Sequence, residues 1–309
     1  MKPPIRVALF GECMIELQGE AFGAMRQTFG GDTLNTAVYL ARCGAPLGVT
    51  VTYATGLGDE RYSDEMLRRW QLEGVGTELV SRVPGRVPGL YTISVDEQGE
   101  RTFTYWRDSS AARCYFDAPD SPLEQAVDRL NALYFSGISL AILTATGRGR
   151  LFDVARRVRA QGGCVIFDNN YRPRLWPDAS TAQAAYAHAL AVSNIALLTL
   201  DDEQLLYDDA SLDTSRARSL AAPCEEVVIK QGGASVIVRL ADQAPLEVPV
   251  QRVERVVDTT AAGDSFAGAY LAARLSGASA VAAATAGADL AGRVIQHRGA
   301  IIAPELLAR

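Results

Sequence analysis

From residue 123 to residue 240 the chain repeats one pattern: a helical stretch, then a short run of large apolar and β-branched residues. Residues 123–130, 146–161 and 180–192 carry helical periodicity, while 132–135, 164–168 and 195–200 read as buried strands, followed by 227–230 and 236–240. Two strands joined through a helix lie parallel in one sheet, and apolar runs without polar alternation are covered on both faces. The pattern predicts an α/β chain with a mainly parallel central sheet flanked by helices on both faces. Residues 5–10 and 49–55 supply two more strands, and 279–294 an alanine-rich helix suited to close packing. With 309 residues, 48% of them hydrophobic, one domain over 1–309 with an appendage is expected rather than two equal halves.

The appendage comes from what breaks the alternation. Residues 13–17 alternate weakly, and 90–95 and 101–107 flank the turn-rich DEQG at 96–99, which predicts a β-hairpin. A period of two puts Arg101, Phe103, Tyr105 and Arg107 on one face. Such a face can close over a ligand. It can equally pack on the body of the protein while Arg107 pairs with a carboxylate such as Asp108.

Several segments could hold a ligand. In FGGDTLNTAVYLAR, residues 29–42, Gly30 and Gly31 let a ligand approach the backbone, Asp32 or Thr33 can cap a helix, and Asp32 and Asn35 offer hydrogen-bonding groups. Leu34, Ala37, Val38 and Ala41 share one face of that helix. A glycine turn with an acidic cap explains the segment as well. GLGD at 56–59 lacks the third glycine of a dinucleotide loop, and no GxxxxGK[ST] occurs, so a nucleotide has to be held another way. Residues 169–177 form an irregular loop at a strand's C-terminal end, where open α/β sheets bind ligands, and carry Arg172 and Arg174. Residues 201–207 form a short helix led by three acids, and the glycines of KQGGAS, 230–235, permit close backbone approach.

The stretch VDTTAAGDSF, residues 257–266, reads as strand, tight turn and helix start. Ala261, Ala262 and Gly263 leave the backbone N–H groups open to an anion, with Asp264 in the same first turn. An anion hole beside one carboxylate suits phosphoryl transfer. A helix capped by Thr259 or Thr260, with Asp264 complementing the dipole, accounts for the same letters.

This decapeptide resembles the C-terminal signature of the ribokinase-like (PfkB-type) carbohydrate kinases, and GGDTLN, GLGD, the hairpin and KQGG extend the resemblance over nearly the whole chain. The resemblance implies a ribokinase-like fold with a small β-sheet lid formed by about 12–30 and 86–112. It implies Asp264 as the base for the acceptor hydroxyl and Ala261, Ala262 and Gly263 as the anion hole. At the ordinary carboxylate pKa, about 3.9, such a base would take the proton late. Gly31, Asp32 and Asn35 would grip the sugar, and Asn170, Lys230, Gly232, Gly233 and Ser235 would hold ATP. Mg²⁺ would come with the nucleotide, with a monovalent cation as a further possibility. Many members carry Asn-x-x-Glu, whose Glu organises the Mg²⁺ waters; here LDDE keeps Glu203 but has Leu200 in place of the Asn. GECMIEL, TFTYWR, SGISLAIL, FDNNYRPRLW and TLDDE are similar to the branch acting on 2-keto-3-deoxygluconate. There Arg107 and Arg172 would clamp the substrate carboxylate beside Tyr91 and Tyr105, since arginine matches a carboxylate with two parallel bonds. A neutral ketose, another sugar acid or a nucleoside is the alternative substrate. A non-catalytic sugar-binding relative is the alternative of another class.

Bulk properties narrow the partners. A net charge of −6 without a basic run disfavours nucleic acid. Five scattered cysteines without CxxC suggest reduced thiols and a cytoplasmic protein, and two distant histidines make a His/Cys metal site improbable. No apolar run approaches a membrane span. Exposed lid edges favour a homodimer or higher homo-oligomer.

Overall fold

Alternate residues of the first strand, β1 (Ile5–Phe10), serve opposite sides of the sheet: Val7 and Leu9 join one apolar cluster, Ala8 and Phe10 another. Residues 132–136 repeat the division, with Tyr134 in the first cluster and Leu133 and Phe135 in the second. A sheet that is apolar on both faces has to be covered twice, which is what the intervening helices do. The structure, a computed structural model, describes residues 3–95 and 101–307; the turn expected at 96–99 lies outside the described residues.

The remaining strands are β2 (Met14–Gly19), β3 (Met25–Gly30), β4 (Val49–Leu57), β5 (Val75–Gly76), β6 (Val80–Arg82), β7 (Leu90–Val95), β8 (Arg101–Trp106), β9 (Ala132–Ser136), β10 (Cys164–Asp168), β11 (Ile195–Thr199), β12 (Glu226–Lys230), β13 (Ser235–Leu240) and β14 (Leu246–Pro249). The α-helices are α1 (Asp32–Gly44), α2 (Arg61–Leu72), α3 (Pro122–Ala126), α4 (Gly137–Ile142), α5 (Ala145–Ala160), α6 (Ala179–Val192), α7 (Leu200–Tyr207), α8 (Leu212–Leu220), α9 (Ala262–Leu275) and α10 (Ala280–Val294). The large sheet runs β14-β13-β12-β11-β10-β9-β1-β4-β5, with β6 on β4; among the described residues every pairing is parallel except the two that β13 makes with β12 and β14. Helices α1, α9 and α10 cover one face; α5 and α6 cover the other.

The predicted hairpin is half of a larger unit. β7 and β8 pair antiparallel, β2 and β3 do the same, and β2 joins β7 in parallel, giving a separate four-stranded sheet in the order β3-β2-β7-β8. The third of these strands in space has a clear apolar face, whereas MRQTFG of β3 is largely exposed and carries Arg26 and Gln27, so its strand signal is weak. The reading of 123–130 as one helix is corrected too: α3 tightens at Val127–Arg129 into a 3₁₀ turn. α8 has no counterpart among the predicted helices, since its sequence LDTSRARSL has little apolar periodicity and buries only Ser215 and Ser219.

The sequence gives α1 one apolar face, yet every residue from Thr33 to Ala41 is buried, because α9 lies across its other side. Gly268 makes that approach possible. A Cβ there would stand 2.6 Å from Tyr39 Cβ and 2.9 Å from the Leu40 nitrogen. On α9's far side Gly287 of α10 meets Phe266 equally closely, at 2.8 Å from Cδ2. Three helices therefore stack with backbone near backbone, and the first turns of α1 and α9 are held side by side. Gly268→Ala should lower the melting temperature by about 2–6 °C, because an added methyl in a packed core costs about 1–3 kcal/mol. A melting temperature equal to wild type, measured by scanning calorimetry, would mean that the two helices have slack.

Candidate functional site

All the parallel strands end on the same edge of the sheet, so the residues that close them are gathered without any sequence proximity. Ser136 ends β9, Asp168 ends β10 and Lys230 ends β12, while α1 and α9 bring their first turns to the same edge. These residues join through hydrogen bonds. Asp32 Oδ2 accepts from Ser136 Oγ at 2.6 Å and from Asn170 Nδ2 at 2.7 Å. Asp264 Oδ2 accepts from Asn35 Nδ2 at 2.8 Å. Lys230 Nζ reaches Asp168 Oδ2 at 3.0 Å, and Tyr134 donates to the same oxygen at 3.3 Å.

The expectation of an Asp32 or Thr33 cap is corrected. Gly31 is the N-cap of α1 without a side-chain cap, because the Asp32 carboxylate is spent on Ser136 and Asn170 and the Thr33 hydroxyl meets Tyr53 at 2.8 Å. Burial raises the pKa of Asp32, against the hydrogen bonds it receives. Burial also pushes Asp264 up to about 7, helped by the charges of Asp32 and Asp168 and opposed by the Asn35 bond and Lys230. The carboxylate expected at its ordinary pKa is thus raised to near neutrality, since three carboxylates share a half-buried space.

The capped-helix reading of the signature does not hold. Ala261 is the N-cap of α9, at φ 59° and ψ 18°, and no side chain caps the helix. Thr259 instead supplies its carbonyl to Ala262 N at 3.2 Å, and Thr260 N donates to Asp258 Oδ1 at 2.9 Å. A left-handed alanine costs about 1 kcal/mol. That conformation turns the chain so the first N–H groups of α9 are left without a side-chain partner, beside a lysine. A Cβ on Gly263 would lie 3.6 Å from Lys230 Nζ. The positive helix end and the ammonium together suit a polyanion. Beyond Lys230 the turn runs through Gly232, at φ +60°, and Gly233; a Cβ on either would meet nothing within 4 Å, so a ligand has room to lie there. Ser235 is less available, since its Oγ accepts from Gln231 Nε2 at 2.8 Å.

Glu203 is buried, and burial raises its pKa against the bond from Asn169. Asn169 donates to Glu203 Oε1 and to the Thr199 carbonyl, both at 3.0 Å, and its Oδ1 accepts from the nitrogens of Thr199 and Asn170 at 2.9 Å. It fixes Glu203 from the neighbouring strand end, while Leu200 is simply buried in the core. The two arginines each have a carboxylate of their own. Arg172 Nη1 lies 3.5 Å from Asp202 Oδ1 and donates to the Tyr171 carbonyl at 2.6 Å. Arg107 pairs with Glu12, not with Asp108, and its guanidinium carbon lies 6.0 Å from the Tyr105 ring centroid. Tyr91, Phe103 and Tyr105 group on that face, with Tyr91 donating to Glu16.

Sequence reasoning missed Ser136, Asp168, Asn169, Asp202 and Glu12. Asp168 and Asn169 close a predicted strand, and that position was their available signal; the Ser136 contact with Asp32 spans 104 residues and has no local signature.

The raised pKa of Asp264 has a consequence for stability. The native state holds this proton more tightly than the unfolded chain, so the contribution is full below the ordinary carboxylate pKa and is lost as pH rises through about 7. Asp264→Asn keeps an acceptor for Asn35 without the charge. It should melt about 2–5 °C above wild type at pH 8 and converge with it only below about pH 4. A difference in melting temperature that does not grow with pH would contradict this crowding of charge.

The chain is 48% identical over 304 residues, 97% of its length and 98% of the relative's, to the 2-dehydro-3-deoxygluconokinase of Dickeya dadantii. It is 47% identical over 305 residues to the protein of the same name from Escherichia coli K12, covering 98% of each. In fold it resembles the fructokinase of Xylella fastidiosa solved with bound ATP, with a TM-score of 0.81 at 23% identity over 96% of this chain and 93% of that one. Residues 5–306 match the model of the pfkB family carbohydrate kinases, and with an uncapped helix start beside Lys230 and Asp264, the chain belongs to that family.

Proposed function

We propose that the protein transfers the γ-phosphoryl group of ATP to the 6-hydroxyl of 2-dehydro-3-deoxy-D-gluconate, giving the 6-phosphate and ADP. The observation that carries this is the poised Asp264 beside the open first turn of α9, together with relatives of nearly half-identical sequence bearing that activity in their names.

Asp264 accepts the hydroxyl proton as the oxygen bonds to phosphorus, and the oxygen between the β- and γ-phosphates leaves with ADP. The N–H groups opening α9, at Ala261 to Gly263, hold the transferring group, and Lys230 offsets its charge. Mg²⁺ brought by the nucleotide would neutralise phosphate charge, and Glu203, held by Asn169, would hold it through water. Asp32, Asn35 and Gly31 face the sugar hydroxyls, and Asn170, Gly232, Gly233 and Ser235 border the nucleotide. The small sheet, residues 12–30 and 86–112 of a single 1–309 unit, is the lid. It carries Tyr91, Tyr105 and Arg107, and Arg107 and Arg172 share the substrate carboxylate. The reading includes a monovalent cation, a cytoplasmic location and a homodimer or higher homo-oligomer paired through the lid edges β3 and β8. Among the described residues no helix is long and apolar enough to cross a membrane, and the cysteines are free.

One observation favours a neutral substrate instead: both arginines already have carboxylate partners. A coupled ADP-release assay on the keto-deoxy acid, gluconate, fructose, ribose and adenosine separates the readings. Turnover of the keto-deoxy acid alone supports the clamp, and preference for fructose or ribose overturns it. In the same assay Asp264→Asn should lower kcat by about 10³-fold with KM little altered, and wild-type kcat/KM should fall on the acid side of about pH 7 as the base is protonated. Near-normal turnover in that variant would remove Asp264 from the chemistry.

A further inference from the structure

The ion pair between Glu12 and Arg107 is a charged contact at the junction of the two sheets that stability does not explain. Glu12 lies between β1 of the large sheet and β2 of the small one, and Arg107 directly follows β8. The Glu12 side chain has no exposure and that of Arg107 has 8%. Burying such a pair is often no better than apolar packing, and this one is incomplete: Glu12 Oε1 is buried without a hydrogen-bond partner. A buried polar group left in that state costs stability, so the contact has to be accounted for otherwise.

Its geometry suggests how. Glu12 Oε2 takes both Nε–H, at 2.9 Å, and Nη2–H of Arg107, which is the side edge of the guanidinium fork. Of five N–H groups, the three left over include the end pair on Nη1 and Nη2, the edge that matches a carboxylate with two parallel bonds. Among the described residues no acceptor meets Nη1, and what exposure the pair retains belongs to Arg107. The surroundings leave the pair little play. A Cβ on Gly89 would stand 3.0 Å from Glu12 Oε1 and 3.2 Å from Arg107 Cβ, and one on Gly31 would stand 2.2 Å from the Glu12 carbonyl oxygen.

We propose that Glu12 is a positioning residue for substrate specificity: it fixes Arg107 by its side edge, so that the end edge is presented to the carboxylate of a sugar acid. The inference rests on the reading of Arg107 as a carboxylate ligand. Holding the fork in advance removes part of the ordering cost that binding would otherwise carry, and Glu12 anchors a lid residue to the turn leaving the large sheet.

The test is a double-mutant cycle on the purified enzyme, with KM measured separately for 2-dehydro-3-deoxygluconate and for ATP. Arg107→Leu comes first: an unchanged KM for the acid would remove the clamp itself, and this inference with it. If that KM rises, Glu12→Gln should raise it about 10-fold as well, with kcat and the KM for ATP moved less than about two-fold, and Glu12→Asp should fall between. In the Arg107→Leu background, adding Glu12→Leu should raise the KM no further, since Glu12 acts through Arg107. An unaltered KM in Glu12→Gln, an equal change in the KM for ATP, or an undiminished effect of Glu12 without Arg107 would overturn the proposal. Should Glu12→Gln fail to fold, Arg107→Leu against the doubly apolar variant decides alone: equal KM values support it, and a further rise overturns it.

Discussion

The site depends on the close approach of α1 and α9. Asn35 and Asp264 are 229 residues apart in sequence, and their bond exists because Gly268 lets the two helices meet backbone to backbone. Each helix has its N-terminus at the C-terminal edge of the sheet, so one contact presents two positive helix ends and two acids to the same space. The alanine-rich α10 backs this arrangement, and its Gly287 against Phe266 repeats the device on the opposite side of α9.

The consequence of that approach is electrostatic. Asp32, Asp168 and Asp264 are held near one another with Lys230 as the cation among them, and the result is an Asp264 raised toward neutral pH. This arrangement is costly to the folded protein and useful to a phosphoryl transfer, which needs a group able to take an alcohol's proton beside a place for a polyanion. The left-handed Ala261 is a second local cost at the same point, and Asn170, at φ 26°, a third. Strain and crowded charge coincide at the edge where α1 and α9 begin.

The small sheet solves a different problem. A parallel sheet offers its ligands an open edge, and covering that edge needs a piece of chain that is not part of the parallel stack. β2 and β3 lie in the crossover from β1 to β4, and β7 and β8 in the connection from β6 to β9, so the cover is joined to the large sheet at several crossings. The Glu12–Arg107 pair sits at two of those crossings, which makes the direction of a lid arginine a property of the body of the protein.

Much of this was present in the letters. Alternating helix and strand patterns determined a parallel sheet covered on both faces, and short-range spacing in DTTAAGD determined a helix opening with small residues and an acid, because those features need only local periodicity and backbone geometry. β3 and α8 were illegible, being polar and held mainly by their neighbours. Tertiary structure alone decided that Thr259 and Thr260 would not cap α9, that Asp32 would bond Ser136 and Asn170 rather than its own helix, and that Arg107 would take Glu12 over Asp108. The Asp32 and Arg107 choices are made between groups 95 to 138 residues apart, whose distances are set by how the layers pack. The basicity of Asp264 belongs with them, since a carboxylate's pKa is fixed by its burial and by the charges around it, and only the packed fold supplies either.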